Sequence, residues 1–294
     1  MKSELSLISI SYNSAQVFFK SWERFLKRSQ LPTIIVDNAS PDGSGSRLLH
    51  GFPNQEIVLL SKNIGYGRAA NEGFQRCKSR YALLLNPDLQ ISETSIDELC
   101  DTAIKNNGNT AIWGPAITES DFTGGQPIHT ETLCGAAMLF DLEKMKEVGF
   151  FDENIFLYSE ETDLCLRTRQ QGYSIKLCPN IFMKHISDSS SGHHPDIDYM
   201  KHWHFGWSRC YYMHKHGLYT KKRNPWRMLW NYRLKSYISL TKTQRLCYTG
   251  QAEGVQAFLR GEKAFTADGN PQKSPNQVFA PEVNGERIFE STNL

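Results

Sequence analysis

Tyr81-Ala82-Leu83-Leu84-Leu85-Asn86-Pro87-Asp88 is a short apolar run that stops on a polar Asn-Pro-Asp corner. Its length suits a buried strand, and the proline ends it. Ser92 follows as a good N-cap for a helix. Upstream the same alternation recurs. Leu5–Ser11 is an apolar stretch ending at Tyr12-Asn13, after which Val17, Phe18, Trp22, Phe25 and Leu26 repeat at helical spacing. Thr33-Ile34-Ile35-Val36 is a β-branched run that stops at Asp37. Glu56–Leu60 reads as the next strand, with a Gly-rich turn and a helix through about Cys77 behind it. Strands alternating with helices predict an α/β fold with a parallel, doubly wound sheet.

Ligands of such sheets bind outside the carboxyl ends of the strands. Tyr12, Asn13, Asp37, Asn63 and Asp88, the unusual polar residues here, all fall at strand ends. That coincidence favours a nucleotide-type site. No GxGxxG follows the first strand and no GxxxxGK[ST] occurs, which argues against dinucleotide oxidoreductases and P-loop enzymes. Asn38–Gly45 (NASPDGSG) is a turn-rich loop. In Ser61-Lys62-Asn63-Ile64-Gly65-Tyr66-Gly67-Arg68-Ala69-Ala70-Asn71-Glu72-Gly73, the glycines allow close backbone approach, and the following helix N-terminus is expected to face phosphate.

In order, Tyr12-Asn13, Val36-Asp37-Asn38-Ala39-Ser40, Asn63-Ile64-Gly65-Tyr66-Gly67…Asn71, Asn86-Pro87-Asp88 and Phe151-Asp152-Glu153…Glu160-Glu161…Asp163-Leu164-Cys165-Leu166-Arg167 resemble family 2 inverting glycosyltransferases with the GT-A fold. The likeness is to the bacterial rhamnosyltransferase branch that builds O-antigen and other surface polysaccharides, and it covers about residues 5–190. It implies a GT-A, Rossmann-like, mostly parallel sheet flanked by helices. It also implies a nucleotide-sugar donor, a saccharide or lipid-linked oligosaccharide acceptor, and Mg²⁺ or Mn²⁺. By this resemblance Asp37 would hold the nucleoside base or ribose, Tyr12 and Asn13 would line the base pocket, and Asn63, Gly65 and Asn71 would lie at the nucleotide. Asn86-Pro87-Asp88 stands where the family carries its DxD motif, so Asn86 takes an acid's place and Asp88 is the main metal carboxylate. His185 resembles the third metal ligand. Glu160-Glu161 stands where the family has Glu-Asp. Glu161 matches the usual general base, and Glu160 is the alternative. Gly135-Ala136-Ala137-Met138 resembles the stretch that shapes the sugar and acceptor site.

The transferred sugar on this reading is rhamnose from dTDP-rhamnose, with a UDP-hexose, UDP-galactofuranose or UDP-N-acetylhexosamine as the alternative donor. A nucleotidyltransferase would carry a Gly-rich, Arg/Lys-containing signature after the first strand, where Ser11-Tyr12-Asn13-Ser14 stands instead. A catalytically dead binding module is disfavoured by Asp37, Asp88 and the acidic pair.

The formal net charge of the 294 residues is only +2, from 33 Lys+Arg against 31 Asp+Glu. The distribution is uneven. Tyr199 to Ala252 holds eleven Lys/Arg and no Asp or Glu, so the other 240 residues, with 22 basic and 31 acidic groups, carry −9. The segment also has four of the six Trp and seven of the twelve Tyr. Asn224-Pro225 reads as a helix N-cap and first position. Trp226, Leu229, Trp230, Leu234 and Tyr237 then form an apolar stripe on a basic helix, expected to meet an anionic membrane surface or a lipid-diphosphate acceptor. No known nucleic-acid-binding motif is present, and nucleic acid is not an expected partner. Seven of nine His lie between His185 and His216, among them His193-His194, but no zinc-ligand spacing appears.

There is no signal-like N-terminus and no apolar run near the ~20 residues that span a bilayer. The seven scattered cysteines read as reduced thiols, with Cys77, Cys100, Cys134 and Cys165 in apolar or helical surroundings. The expectation is a cytoplasmic protein, peripheral at the inner face of the cytoplasmic membrane. The expected organisation is a catalytic domain over 1–190, a C-terminal helical basic/aromatic extension over 191–265 and a polar tail over 266–294. Val278-Phe279 and Ile288-Phe289 in that tail could pack back on the body.

Overall fold

A computed structural model describes residues 4–106, 108–186 and 195–274. The elements run β1 (Leu5–Ser11), α1 (Ala15–Leu26), β2 (Thr33–Asp37), α2 (Ser44–Gly51), β3 (Glu56–Leu59), α3 (Tyr66–Arg76), β4 (Tyr81–Leu85) and α4 (Glu93–Lys105). They continue with β5 (Thr110–Ala116), β6 (Ile128–His129), β7 (Ala137–Asp141), α5 (Leu142–Val148), α6 (Glu160–Gln170) and β8 (Ser174–Phe182). The last are α7 (Pro195–Lys215), α8 (Pro225–Ile238) and α9 (Lys242–Leu259). His193-His194, Val278-Phe279 and Ile288-Phe289 lie outside the described residues.

The strands form one sheet in the order β3-β2-β1-β4-β7-β5-β8-β6. Alternate residues of each central strand face opposite layers. Leu5, Leu7, Ile35, Leu83 and Leu85 enter one core, while Ile8, Ile34, Val36, Ala82 and Leu84 enter the other. Burial on both faces is why these strands read as unbroken apolar runs. Ser92 caps α4 through a reciprocal capping box with Ser95.

β1, β2, β3 and β4 are mutually parallel, as are β5 and β8, but β7 runs antiparallel between β4 and β5. Leu85 therefore sits opposite Ala137, and the segment entering β7 arrives at the carboxyl end of β4. Ala137 and Met138 are buried strand residues, so only Gly135 and Ala136 of the small-residue stretch are free to face a ligand. β8 breaks register with β5 between Pro115 and Ala116. Beyond that break Met183-Lys184-His185 folds back over Asp88, with Gln90 N–H donating to Lys184 O (2.9 Å) and Ile186 N–H to Asp88 O (3.0 Å).

α7, α8 and α9 form a helical layer. α7 and α9 approach backbone to backbone, because Gly254 lies against Trp203 and Gly206 against Gln251, where a Cβ would collide with main chain. The aromatic segment of the sequence divides here. Trp203 and Trp207 are buried with Phe156, Met200 and Ala257, whereas Trp226 and Trp230 face outward. Asn224 caps α8 by accepting from Trp226 N–H, and Pro225 occupies its first turn. Leu229, however, points inward with Tyr232, Met213 and Val255. It does not share the outward stripe the sequence suggests, because α8 is apolar on two faces.

Candidate active site

A cleft of about 370 Å³ opens at the carboxyl edge of the sheet. The same edge gathers the ends of β1, β2, β4 and β8, the entry to β7 and the N-terminus of α6. Tyr12, Asn63, Gly65, Asn86, Glu160, Glu161 and His185 all line it.

Asp88 is buried directly behind this wall, and His185 Nε2 lies 3.1 Å from its Oδ1. The two residues are 97 apart in sequence and are joined by the backbone bridge between Leu89 and His185. A carboxylate beside an imidazole is a donor pair that suits a hard-to-borderline divalent cation, whose remaining positions phosphate oxygens and water would fill. Among the described residues no third His, Cys, Asp or Glu joins them. Asn86 stands on the cleft side, its Oδ1 accepting from Tyr66 O–H at 3.2 Å.

Opposite lies the acidic pair. Tyr158 and Ser159 both hold left-handed backbone (φ 68° each) immediately before α6. Two consecutive non-glycine residues in that region mark a strained elbow, of a kind that clusters at functional sites. It turns Glu160 and Glu161 into the cleft as the first residues of the helix. Glu160 is 6% exposed, and its Oε2 is buried without a hydrogen-bond partner among the described residues. Burial, then the neighbouring charge of Glu161, push its acid well above the usual carboxylate range. Burial also raises Glu161, whose side chain lies beside Gly135.

Asn38 organises the nucleotide-side loop. Its amide donates to Asn63 Oδ1 (2.9 Å) and Gly65 O (3.3 Å) and accepts from Ile64 N–H (2.9 Å). Gly65 has φ 89°, and a Cβ there would meet Phe156 O at 2.5 Å. Tyr66 N–H donates to that same carbonyl (3.1 Å), so the first turn of α3 is tied to Phe156. A phosphate therefore cannot use all of the N–H groups that the sequence motif suggests are open.

Besides Asp88, three expected site residues lie off the cleft wall. Asp37, below the Asn38–Gly45 loop, accepts from Ser40 Oγ (2.6 Å) and Ser40 N–H (3.0 Å). Asn13, with φ 55°, donates its N–H to Ser40 Oγ at 2.9 Å. Asn71 brackets Phe151, donating to its carbonyl (3.0 Å) and accepting from its N–H (3.1 Å). Cys134 is exposed and lines the cleft, in contrast to the apolar setting its neighbours suggest. The seven cysteines are all free thiols.

Sequence reasoning missed the far wall. Ile197, Met200 and Lys201 of α7 close the cleft, although α7 lies beyond the recognisable motifs. Asp163, fully buried in α6, accepts from Arg167 Nε (2.7 Å), Lys215 Nζ (2.6 Å) and His216 Nε2 (2.8 Å). This network locks α6, the helix that carries Glu160 and Glu161, to the end of α7. The Asp-Leu-Cys-Leu-Arg run was its one visible signal.

Residues 6–165 match the sequence model described as Glycosyl transferase family 2. The chain belongs to that family. Among its relatives is the N-acetylglucosaminyl-diphospho-decaprenol L-rhamnosyltransferase of Mycobacterium tuberculosis, 23% identical over 66% of this chain and 80% of that protein. The dTDP-rhamnosyl transferase RfbF of Shigella flexneri is 23% identical over 65% of this chain and 72% of its own length. Among solved structures, the mannosyltransferase PcManGT of Pyrobaculum calidifontis, in complex with GDP-Man and Mn²⁺, superposes with a TM-score of 0.57 at 12% identity, covering 87% of this chain and 86% of that one. That likeness supports the GT-A fold.

Proposed function

We propose that this glycosyltransferase transfers rhamnose from dTDP-rhamnose, with inversion and with a divalent metal, to a lipid-linked saccharide at the cytoplasmic membrane face. The observation that carries the transfer chemistry is the pairing of Asp88 with His185 on one side of a cleft whose other side presents Glu160 and Glu161. The names of the bacterial relatives support the donor and the lipid-diphosphate acceptor.

Asp88 and His185 would hold Mg²⁺ or Mn²⁺, which when bound neutralises charge developing on the departing nucleoside diphosphate. Asn63, Gly65 and Tyr12 are positioned to contact the nucleotide, and Asp37, through Ser40, stiffens the loop beside it. The acceptor hydroxyl attacks the anomeric carbon as the bond from that carbon to the phosphate oxygen breaks, and the pair leaves with the nucleoside diphosphate. Glu161 takes the hydroxyl proton. Burial pushes the Glu160 acid well up, which would disfavour a second negative charge in the site.

Thermal denaturation with a panel of nucleotide sugars, with and without Mn²⁺, tests this reading. dTDP-rhamnose with Mn²⁺ should raise Tm most, by the mass-action stabilisation of about 2.7 kcal/mol expected at a hundred times Kd. A larger shift from a UDP-sugar would reassign the donor, and no shift from any of them would remove the nucleotide-sugar reading.

A further inference from the structure

Among the described residues nothing covers the outward face of α8, and its composition is unusual for a surface. Trp226 is 61% exposed, Trp230 70% and Leu240 97%, and Leu234, Tyr237 and Ile238 are exposed beside them. On a helical wheel the α8 members of this set fall within roughly a third of the circumference. The opposite face carries Leu229 and Tyr232, packed against α7 and α9. α8 is therefore already anchored by one apolar face and leaves a second, aromatic-rich one in water. Isolated exposed apolar residues need no explanation, but a contiguous set marks a contact surface.

Cations predominate around that face. Lys221, Lys222 and Arg223 precede α8, Arg227 and Lys235 lie on it, and Lys242 and Arg245 open α9, all exposed. None of them has a carboxylate within ion-pair distance among the described residues. Arg233 and Arg245 also line a groove between α8 and α9, together with Glu253, which accepts from Tyr199 O–H. A second copy of this chain docked through the same face would oppose these cations to themselves. An anionic bilayer complements both the charge and the Trp/Tyr band, since indole and phenol rings favour the headgroup boundary.

The layer's contacts fix which end of this face adjoins the cleft. α7 and α9 run parallel, with Gly250 packed on Tyr199 and His202 and Gly254 on Trp203 and Trp207, while Tyr199 O–H donates to Glu253. α8 is antiparallel to α9, through Arg233 with Gln256 (3.1 Å) and Ser236 with Thr249 (2.7 Å). The C-terminal end of α8 therefore lies at the same end of the layer as the start of α7, whose Ile197, Met200 and Lys201 wall the cleft.

We propose that the Trp226–Leu240 face, with its surrounding cations, is an interfacial docking surface for an anionic phospholipid bilayer, and that its Tyr237–Leu240 end sets the cleft mouth toward the lipid. The second clause rests on the lipid-linked acceptor reading, while the first stands without it. Among the described residues no helix is long and apolar enough to cross a membrane, so the contact is one of surface insertion.

The test is flotation of the full chain with phosphatidylcholine vesicles that do or do not contain phosphatidylglycerol. Wild type should float with the phosphatidylglycerol vesicles. Lys221→Ser/Lys222→Ser/Arg223→Ser should weaken that partitioning by about a hundredfold, as should raised salt. Trp226→Ser/Trp230→Ser should weaken it by at least about tenfold even at low salt. Both variants change exposed side chains and should keep the wild-type Tm and the wild-type Mn²⁺/nucleotide-sugar shift. A lost vesicle signal is thereby separated from a failed donor site. Equal flotation of the tryptophan variant and wild type, no flotation of wild type, or a dimer in light scattering that the tryptophan variant abolishes would each overturn the proposal.

Discussion

Glu161→Gln should lower kcat by about two to four orders of magnitude, the usual contribution of a general base, whereas Glu160→Gln should stay within about tenfold of wild type. The difference follows from burial. Glu160 has no partner for its Oε2 among the described residues and burial pushes its acid well up, so the amide that replaces it resembles the form burial favours. Burial also raises Glu161, but no neighbouring charge among the described residues adds to it and a backbone hydrogen bond opposes it, so Glu161 is the member expected to ionise. As pH falls through that raised value, kcat should decline at a higher pH than an ordinary glutamate would give.

Stability supplies an independent check on the same pair. A carboxyl whose folded pKa lies above its unfolded one contributes stability below the unfolded value and loses it as pH rises. Glu160→Gln removes that loss, so its Tm should exceed wild type increasingly as pH rises above the usual carboxylate range. Equal kcat losses in the two variants would mean that the pair acts as one group. Full activity in both would leave the transfer without its base.

Asp88→Ala should cost about three orders of magnitude or more in transfer, the scale on which a metal stabilises a departing anion. It should also abolish the Mn²⁺-dependent part of the nucleotide-sugar thermal shift. Asp88→Asn keeps the shape and the capacity to meet His185 but removes the charge, and should fall nearly as far. Asp88 is buried, so the melting curve of each variant without ligand belongs in the experiment. A folded Asp88→Asn protein with unchanged Mn²⁺ response would take the metal away from this residue.

Much of the catalytic half was legible in the sequence because strand ends and caps have local signatures. β1, β2 and β4 end at Ser11, Asp37 and Leu85, where polar residues interrupt apolar runs. Ser92 and Asn224 cap helices through bonds their positions suggest. The antiparallel β7 was hidden because its entry, Gly135-Ala136, looks like a loop and runs into the small Ala137 that opens the strand. β5 was hidden too, since it carries Gly114 and Pro115.

Side-chain direction was the other gap. Asp37 stands at the expected strand end, yet its carboxylate is taken by Ser40, a local bond that a strand pattern cannot reveal. Likewise charge counting treated Tyr199–Ala252 as a single surface. α7 buries Trp203 and Trp207, Lys215 is drawn to Asp152 and Asp163, and only α8 and the start of α9 present the segment outward. Which face of an apolar helix is covered depends on its neighbours, and those come from distant sequence.

The central claim is that Asp88 and His185 hold a metal beside the donor diphosphate, across the cleft from Glu161. Electron paramagnetic resonance of Mn²⁺ with the full chain and dTDP tests it most directly, because it reads the ligands without requiring the correct donor sugar. The account predicts a protein-bound Mn²⁺ spectrum that strengthens with dTDP, carries nitrogen coupling from an imidazole, and loses that coupling in His185→Ala. A spectrum of free aqueous Mn²⁺ that neither dTDP nor the substitution alters would contradict it.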